Sequence, residues 1–169
     1  MVAASLSGLV AIFTSAMIYV DTRRRFWNPQ LAFVKFYGTM LLFGGTGTAT
    51  FGAWLGANSL ARTMGLAALA LQAALLFWEM SGYYRDLRNR NRPNHQSAVT
   101  VARLLPWFAP VRIGLFLLAA VLLLANGFDY LGQSAAWYSV AFIALLASQF
   151  IERFVFFTAV IPLRMPGGI

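Results

Sequence analysis

Long apolar runs alternate with short polar breaks along this chain, and the length of the runs decides the element type. A half-buried strand would alternate apolar and polar residues over about four to eight positions. These runs are far longer, near the ~20 apolar residues with which a helix crosses a bilayer. Five segments qualify, at about 2–20, 31–55, 64–84, 108–128 and 136–163. They predict an all-α integral membrane protein, a five-helix transmembrane bundle making one polytopic domain over 1–169. The longest break runs from Arg85 to Pro110. Within it "RNRNRPN" predicts a solvated turn, and "SAVTVARLL" predicts a short interfacial helix capped by Ser97.

Composition agrees with that pattern. The 169 residues are 60% hydrophobic and 11% charged, with mean hydropathy +0.68. A soluble domain would carry roughly a quarter charged residues. The net charge of +8 does not point to nucleic acid, because the bases sit in short loops between apolar spans. Of 13 Lys and Arg, all but Arg62 fall in or beside the first loop, the third loop and the tail. The positive-inside rule then places the N-terminus outside and the C-terminus in the cytoplasm. Trp27, Trp54, Trp107 and Trp137 fall near span ends, where indole rings prefer the interface, whereas Trp78 lies deeper. The first span has no basic residues before it and "YVDTRRR" after it, a stop-transfer flank rather than a cleaved signal. It reads as a spanning helix with upstream partners missing.

Candidate chemistry is sparse. With no cysteine, the chain cannot supply thiolate ligands to an iron–sulfur cluster. Its one histidine, His95, lies in the polar loop and cannot provide the paired axial ligands of a membrane b-type haem. Phosphate-binding loops, nucleophile elbows and zinc motifs do not occur. What stands out is charge inside apolar spans, where each costs about 2.5–3.5 kcal/mol at the bilayer centre on insertion scales. Glu79, Arg112, Glu152 and Arg153 all fall toward the predicted cytoplasmic end. Neighbouring helical residues point about 100° apart, so Glu152 and Arg153 are expected to bind different helices. Glu152 with Arg112 and Glu79 with Arg153 are the pairs this predicts. These charges serve either to lock the bundle or to carry protons or quinol. In span two, Gly52 and Gly56 form a G-x-x-x-G pattern for helix packing. The same glycine-rich surface could instead wall a cavity for a flat ligand such as a quinone.

The stretch "GLVAIFTSAMIYVDTRRRFWNP" carries Met17, Ile18, Tyr19, Arg23 to Arg25, Trp27 and Pro29. The stretch "ERFVFFTAVIPLRMPGG" carries Glu152, Arg153, Phe156, Pro162, Met165 and Pro166. Both resemble membrane anchor subunits of the dimethyl sulfoxide reductase type, the DmsC family, related to the anchors of polysulfide and nitrite reductases. The resemblance implies an eight-helix, haem-free protein of the bacterial cytoplasmic (inner) membrane, of which this chain covers the C-terminal five helices. It implies that the anchor itself performs no bond chemistry. It also implies partners, namely a molybdopterin catalytic subunit and a ferredoxin-type iron–sulfur subunit. Electrons would pass between menaquinol or another quinol, bound as an exchangeable substrate, and that iron–sulfur subunit in anaerobic respiration. The family's quinol-linked His and acidic residue belong to earlier helices, so no site residue carries over. Two other readings stand beside it, a purely structural anchor and a small membrane transporter or transporter fragment. A transporter would show broken helices or an inverted repeat.

Overall fold

The computed structural model describes residues 2–21, 29–92, 94–128, 130 and 134–158. Within them are six helices. They are α1 (Val2–Asp21), α2 (Pro29–Trp54), α3 (Asn58–Arg88), α4 (His95–Leu104), α5 (Phe108–Gly127) and α6 (Ala135–Thr158). Among the described residues every regular element is helical. By length and composition α3, α5 and α6 are each able to cross a membrane. The apolar stretch of α1, Leu6–Asp21, is shorter, and in α2 glycine and threonine dilute the hydropathy. Three of the five predicted spans therefore meet both criteria. The first-loop arginines, Arg164 and the expected end of the last span near 163 lie outside the described residues.

Four helices form a ring in which α2 packs on α3, α3 on α5, α5 on α6 and α6 back on α2. The other two are satellites, α1 against α2 and α4 against α3. Small residues let the backbones approach. A Cβ on Gly45 would stand 3.2 Å from Ala68 Cβ, one on Gly65 3.2 Å from Tyr138, and one on Gly38 3.0 Å from Leu75. These glycines, rather than a G-x-x-x-G, mark the tight seams. A Cβ on Gly52 would meet only ordinary contacts at the start of α3, the nearest at 3.5 Å. Gly56 lies beyond α2 with φ of 73° and open space around it. It ends the helix. The Ala57 amide donates to the Gly52 carbonyl at 2.8 Å and the Gly56 amide to Ala53 at 3.2 Å, the pairing of a Schellman cap whose left-handed position suits glycine.

Along α2 the threonines return their hydroxyls to the preceding turn. Thr39, Thr46, Thr48 and Thr50 donate to carbonyls four residues back at 2.7–2.9 Å. Each polar group is thereby satisfied inside its own helix, which apolar surroundings demand. Despite its glycines α2 runs unbroken, unlike the discontinuous helices of transporters. The main core joins Leu42, Leu69, Leu123, Tyr138 and Leu145 around small alanines. A second cluster of Val101, Phe108 and Val155 closes the end where α4 sits.

The link between α3 and α5 departs from the expected cap. The helix begins at His95, not Ser97, and Asn94 in the cap position makes no side-chain capping bond. Ser97 is buried inside the first turn, because α4 lays Ser97, Ala98 and Val101 onto the bundle.

Candidate functional site

Successive helices of the ring run in opposite directions, so the start of α2, the end of α3, the start of α5 and the end of α6 share one end. Together they bring five acidic and basic side chains there: Lys35 from α2, Glu79 from α3, Arg112 from α5, and Glu152 with Arg153 from α6. Arg112 and Glu152 are almost completely buried, and the Lys35 and Glu79 side chains are each 11% exposed.

The charges form a chain of alternating sign. Arg112 Nη1 stands 2.7 Å from Glu79 Oε2, and Lys35 Nζ stands 3.2 Å from Glu79 Oε1. Lys35 Nζ also donates to Glu152 Oε1. Arg153 Nε lies 3.6 Å from Glu152 Oε2. Each carboxylate thus touches two cations, and Lys35 touches both carboxylates. The sequence pairing is corrected on both counts, since Glu79 takes Arg112 and Glu152 takes Lys35 with Arg153. Adjacent residues on α6 do meet, because the long guanidinium arm folds back over its neighbour. The arm is then fixed from the side of α2. Arg153 Nη2 donates to the Lys35 carbonyl at 2.9 Å and to Thr39 Oγ1 at 3.0 Å, and its guanidinium lies 4.2 Å from the centre of the Phe36 ring. Such contacts stabilise a desolvated cation by about 2 kcal/mol.

One turn deeper lies a neutral polar layer. Gln149 Nε2 donates to Gln72 Oε1 at 3.0 Å, joining α6 to α3, and Thr39 Oγ1 lies 3.2 Å from Gln149 Oε1. Lys35 and Gln72 are the residues that sequence reasoning missed. In the sequence Lys35 lies close to the first-loop bases, although it stands nearly two turns inside α2. Gln72 gave a signal too. It precedes Glu79 by seven positions, two turns on one helical face.

A cavity of about 160 Å³ opens beside the charge chain. Lys35, Glu79, Arg112 and Glu152 line its inner wall. Trp78, Tyr83, Phe108 and Phe156 supply aromatic walls, and Arg85, Asp86, Asn94 and Ser97 stand toward the loop. Trp78, the tryptophan that fitted the interface pattern least well, is thus a cavity residue. Arg112 Nε is buried and bonds to no protein acceptor among the described residues. The wall therefore carries cations and carboxylates already paired with one another, while Arg112 Nε lies buried behind it. The arrangement suits a flat ring carrying hydroxyl or carbonyl oxygens, with apolar walls for the ring and few placed polar groups for its edge.

At the mouth, the Asp86 carbonyl lies 2.8 Å from His95 Nδ1, and the Asp86 carboxylate pairs with Arg92 at 3.0 Å. His95, expected in a polar loop, is instead the first residue of α4 and clasps that helix to the end of α3. Among the described residues no three His, Asp or Glu side chains gather as a metal ion would require.

Comparisons with curated proteins and with solved structures return no match. A family model described as DMSO reductase anchor subunit (DmsC) matches residues 1–159, nearly the whole chain. With its apolar helices and small-residue seams, this chain belongs to the DmsC family of DMSO reductase anchor subunits.

Proposed function

We propose that this chain is the quinol-facing membrane anchor of a molybdopterin oxidoreductase. It holds a ferredoxin-type iron–sulfur subunit and a molybdopterin catalytic subunit at the bacterial inner membrane. It passes electrons from menaquinol or a similar quinol to the iron–sulfur subunit in anaerobic respiration. In this reading α1, α2, α3, α5 and α6 all span, with the N-terminus outside and the arginine-rich link between α3 and α5 in the cytoplasm. The chain carries no haem and no iron–sulfur cluster of its own, and quinol comes and goes as substrate.

One observation supports the quinol part above the rest. The aromatic-walled cavity lies against the charge chain of Arg112, Glu79, Lys35, Glu152 and Arg153. A bundle that needed charges only as fasteners would gain stability by filling the cavity beside them and pairing the buried Arg112 Nε. Unfilled space and unpaired polar atoms both cost stability.

The test uses membranes from cells with and without the chain. With it, catalytic activity measured with reduced viologen should sediment with the membranes, and a reduced naphthoquinol should drive turnover. Without it, viologen activity should move to the soluble fraction and quinol-driven turnover should vanish. Membrane-bound activity that viologen supports and quinol never does would leave a purely structural anchor. A haem absorbance band that stays with the purified complex would overturn the haem-free reading. A cysteine at Asn91 should be blocked in intact cells by a membrane-permeant thiol reagent and spared by an impermeant one. Labelling by the impermeant reagent would invert the orientation.

A further inference from the structure

Glu79 does not stand alone on its helix face. Tyr83 and Asp86 follow at four and seven positions, the spacing that keeps side chains on one face of a helix. All three line the same cavity. The stripe leads from the charge chain inside the bundle to the loop end of α3. At that end the Asp86 side chain is 17% exposed and pairs with Arg92, which is 43% exposed. The other carboxylate of the charge chain, Glu152, lines the same cavity but stands on α6, off this stripe, and is less exposed than Glu79. Its side chain is 2% exposed and it faces Lys35 and Arg153.

From this geometry we infer that Glu79 accepts the proton of a quinol hydroxyl and that protons leave past Tyr83 and Asp86 toward the link between α3 and α5. The inference rests on the quinol reading above. A quinol becomes a quinone by giving up two protons and two electrons. The first O–H bond breaks with its proton passing to the Glu79 carboxylate, which becomes a carboxylic acid. The anion left behind lies among Lys35 and Arg112, two cations held in place before the reaction, the arrangement that stabilises developing negative charge most effectively. Both electrons go to the iron–sulfur subunit. Glu79 returns its proton through water in the cavity to Asp86 and then accepts the second. A volume of about 160 Å³ leaves room for waters at roughly 30 Å³ each. The five side chains carry three positive and two negative charges. Once an electron has left the anion for the iron–sulfur subunit, the proton on Glu79 stands as one extra positive charge in the site, which drives it onward.

The experiment uses the whole complex in liposomes, with a reduced naphthoquinol as donor and a pH dye on each side in turn. The side bearing the α3–α5 link is identified by labelling a cysteine at Asn91. Protons should appear first on that side. Glu79→Gln should lower quinol-driven turnover at least tenfold per assembled complex, counted from viologen activity. Asp86→Asn, outside the charge chain, should lower it severalfold and enlarge the slowing in heavy water. Protons appearing first on the opposite side would overturn the path. So would an Asp86→Asn complex with wild-type turnover and wild-type heavy-water slowing. Full turnover in Glu79→Gln would overturn the acceptor. If Glu79→Gln fails to assemble, Asp86→Asn and the side of release still decide. A wild-type complex that viologen drives and quinol does not would sink the quinol reading itself, and this inference with it.

Discussion

The two ends of the bundle are built on different principles. At the end where α2 begins and α3 finishes, helices are joined by ionised side chains around a cavity. Farther along, toward the α2–α3 turn, they are joined by absence of side chain, with Gly45 against Ala68, Gly65 against Tyr138 and Gly127 against Leu66. Few polar contacts cross between helices there, among them Trp54 Nε1 to Ser139 Oγ at 3.1 Å. Glycine seams fix helices through van der Waals contact and leave nothing to titrate or bind. Charge chains fix helices less economically, because each ion must first be stripped of water. The division is not complete, since Gly38 packs against Leu75 within a turn of Lys35, but the ion pairs among the described residues all fall at one end and most of the close glycine contacts lie away from it.

The comparison is broken most directly at Lys35. Among the described residues it is the cation that touches both carboxylates. Lys35→Met keeps the side-chain length and removes the charge, leaving Glu79 with Arg112 and Glu152 with Arg153. Stripping a partner from a buried pair costs about 3–5 kcal/mol in soluble proteins. Membrane contacts measure nearer 1 kcal/mol each, and two are lost here. Assembled complex on an immunoblot should fall severalfold, with partial recovery in Lys35→Arg. Normal assembly of Lys35→Met would mean that the four helices do not depend on the charge chain.

Gly65→Leu tests the opposite end. Even a Cβ at this position would stand 3.2 Å from Tyr138 and 3.5 Å from Leu123, both buried. Overpacking of this kind costs typically about 1–3 kcal/mol, so thermal stability of the detergent-solubilised complex should drop. The quinol dependence of the surviving complex should remain closer to wild type than in any variant at the charged end. A quinol defect larger than the stability defect would show that the two ends are coupled.

How much of this was legible in the sequence follows the same division. The helical elements were, because apolar runs of that length leave few other structures. Glu79, Arg112, Glu152 and Arg153 stand out in the sequence, since charge in an apolar span is conspicuous by its cost. The pairs it suggests, Glu152 with Arg112 and Glu79 with Arg153, are not the ones the bundle makes. Pairing depends on how far each helix slides and rotates against the next, and on how far an arginine arm reaches back along its own helix. Lys35 was hidden by its closeness to the loop arginines, and Tyr83 and Asp86 by lying where the span turns polar. The glycine pattern misled in a different way. Gly52 and Gly56 have the right spacing, but Gly56 is spent on ending α2, and the tight contacts fall at glycines without a motif.

Glu152→Gln sharpens the split between the two carboxylates. The amide keeps the shape and loses the charge facing Lys35 and Arg153, while Lys35 retains Glu79. Arg153 also keeps its bonds to the Lys35 carbonyl and Thr39. The loss should be on the order of 1 kcal/mol, seen as a modest fall in assembled complex. Arg153→Ala, which removes those bonds and the Phe36 contact, should lower assembly further. In both variants quinol turnover per assembled complex should fall far less than in Glu79→Gln. If Glu152→Gln assembled fully yet lost quinol turnover while viologen activity survived, Glu152 would be the residue that meets quinol.

The smallest effect comes from two adjacent glycines. Gly44 faces outward with no atom within 4 Å of where its Cβ would stand, whereas Gly45 would bring a Cβ to 3.2 Å from that of Ala68. In a helix interior alanine is favoured over glycine by about 1 kcal/mol in water, a gain that shrinks where the backbone is already satisfied. Gly44→Ala should therefore leave thermal stability unchanged or raise it slightly. Gly45→Ala carries the same intrinsic gain but must push α2 and α3 apart by a few tenths of an ångström, so it should fall below Gly44→Ala. Measured side by side in the solubilised complex, the pair isolates the seam from helix propensity. Equal stability for the two would mean that α2 and α3 have room to move apart, and that the charge chain alone sets their spacing.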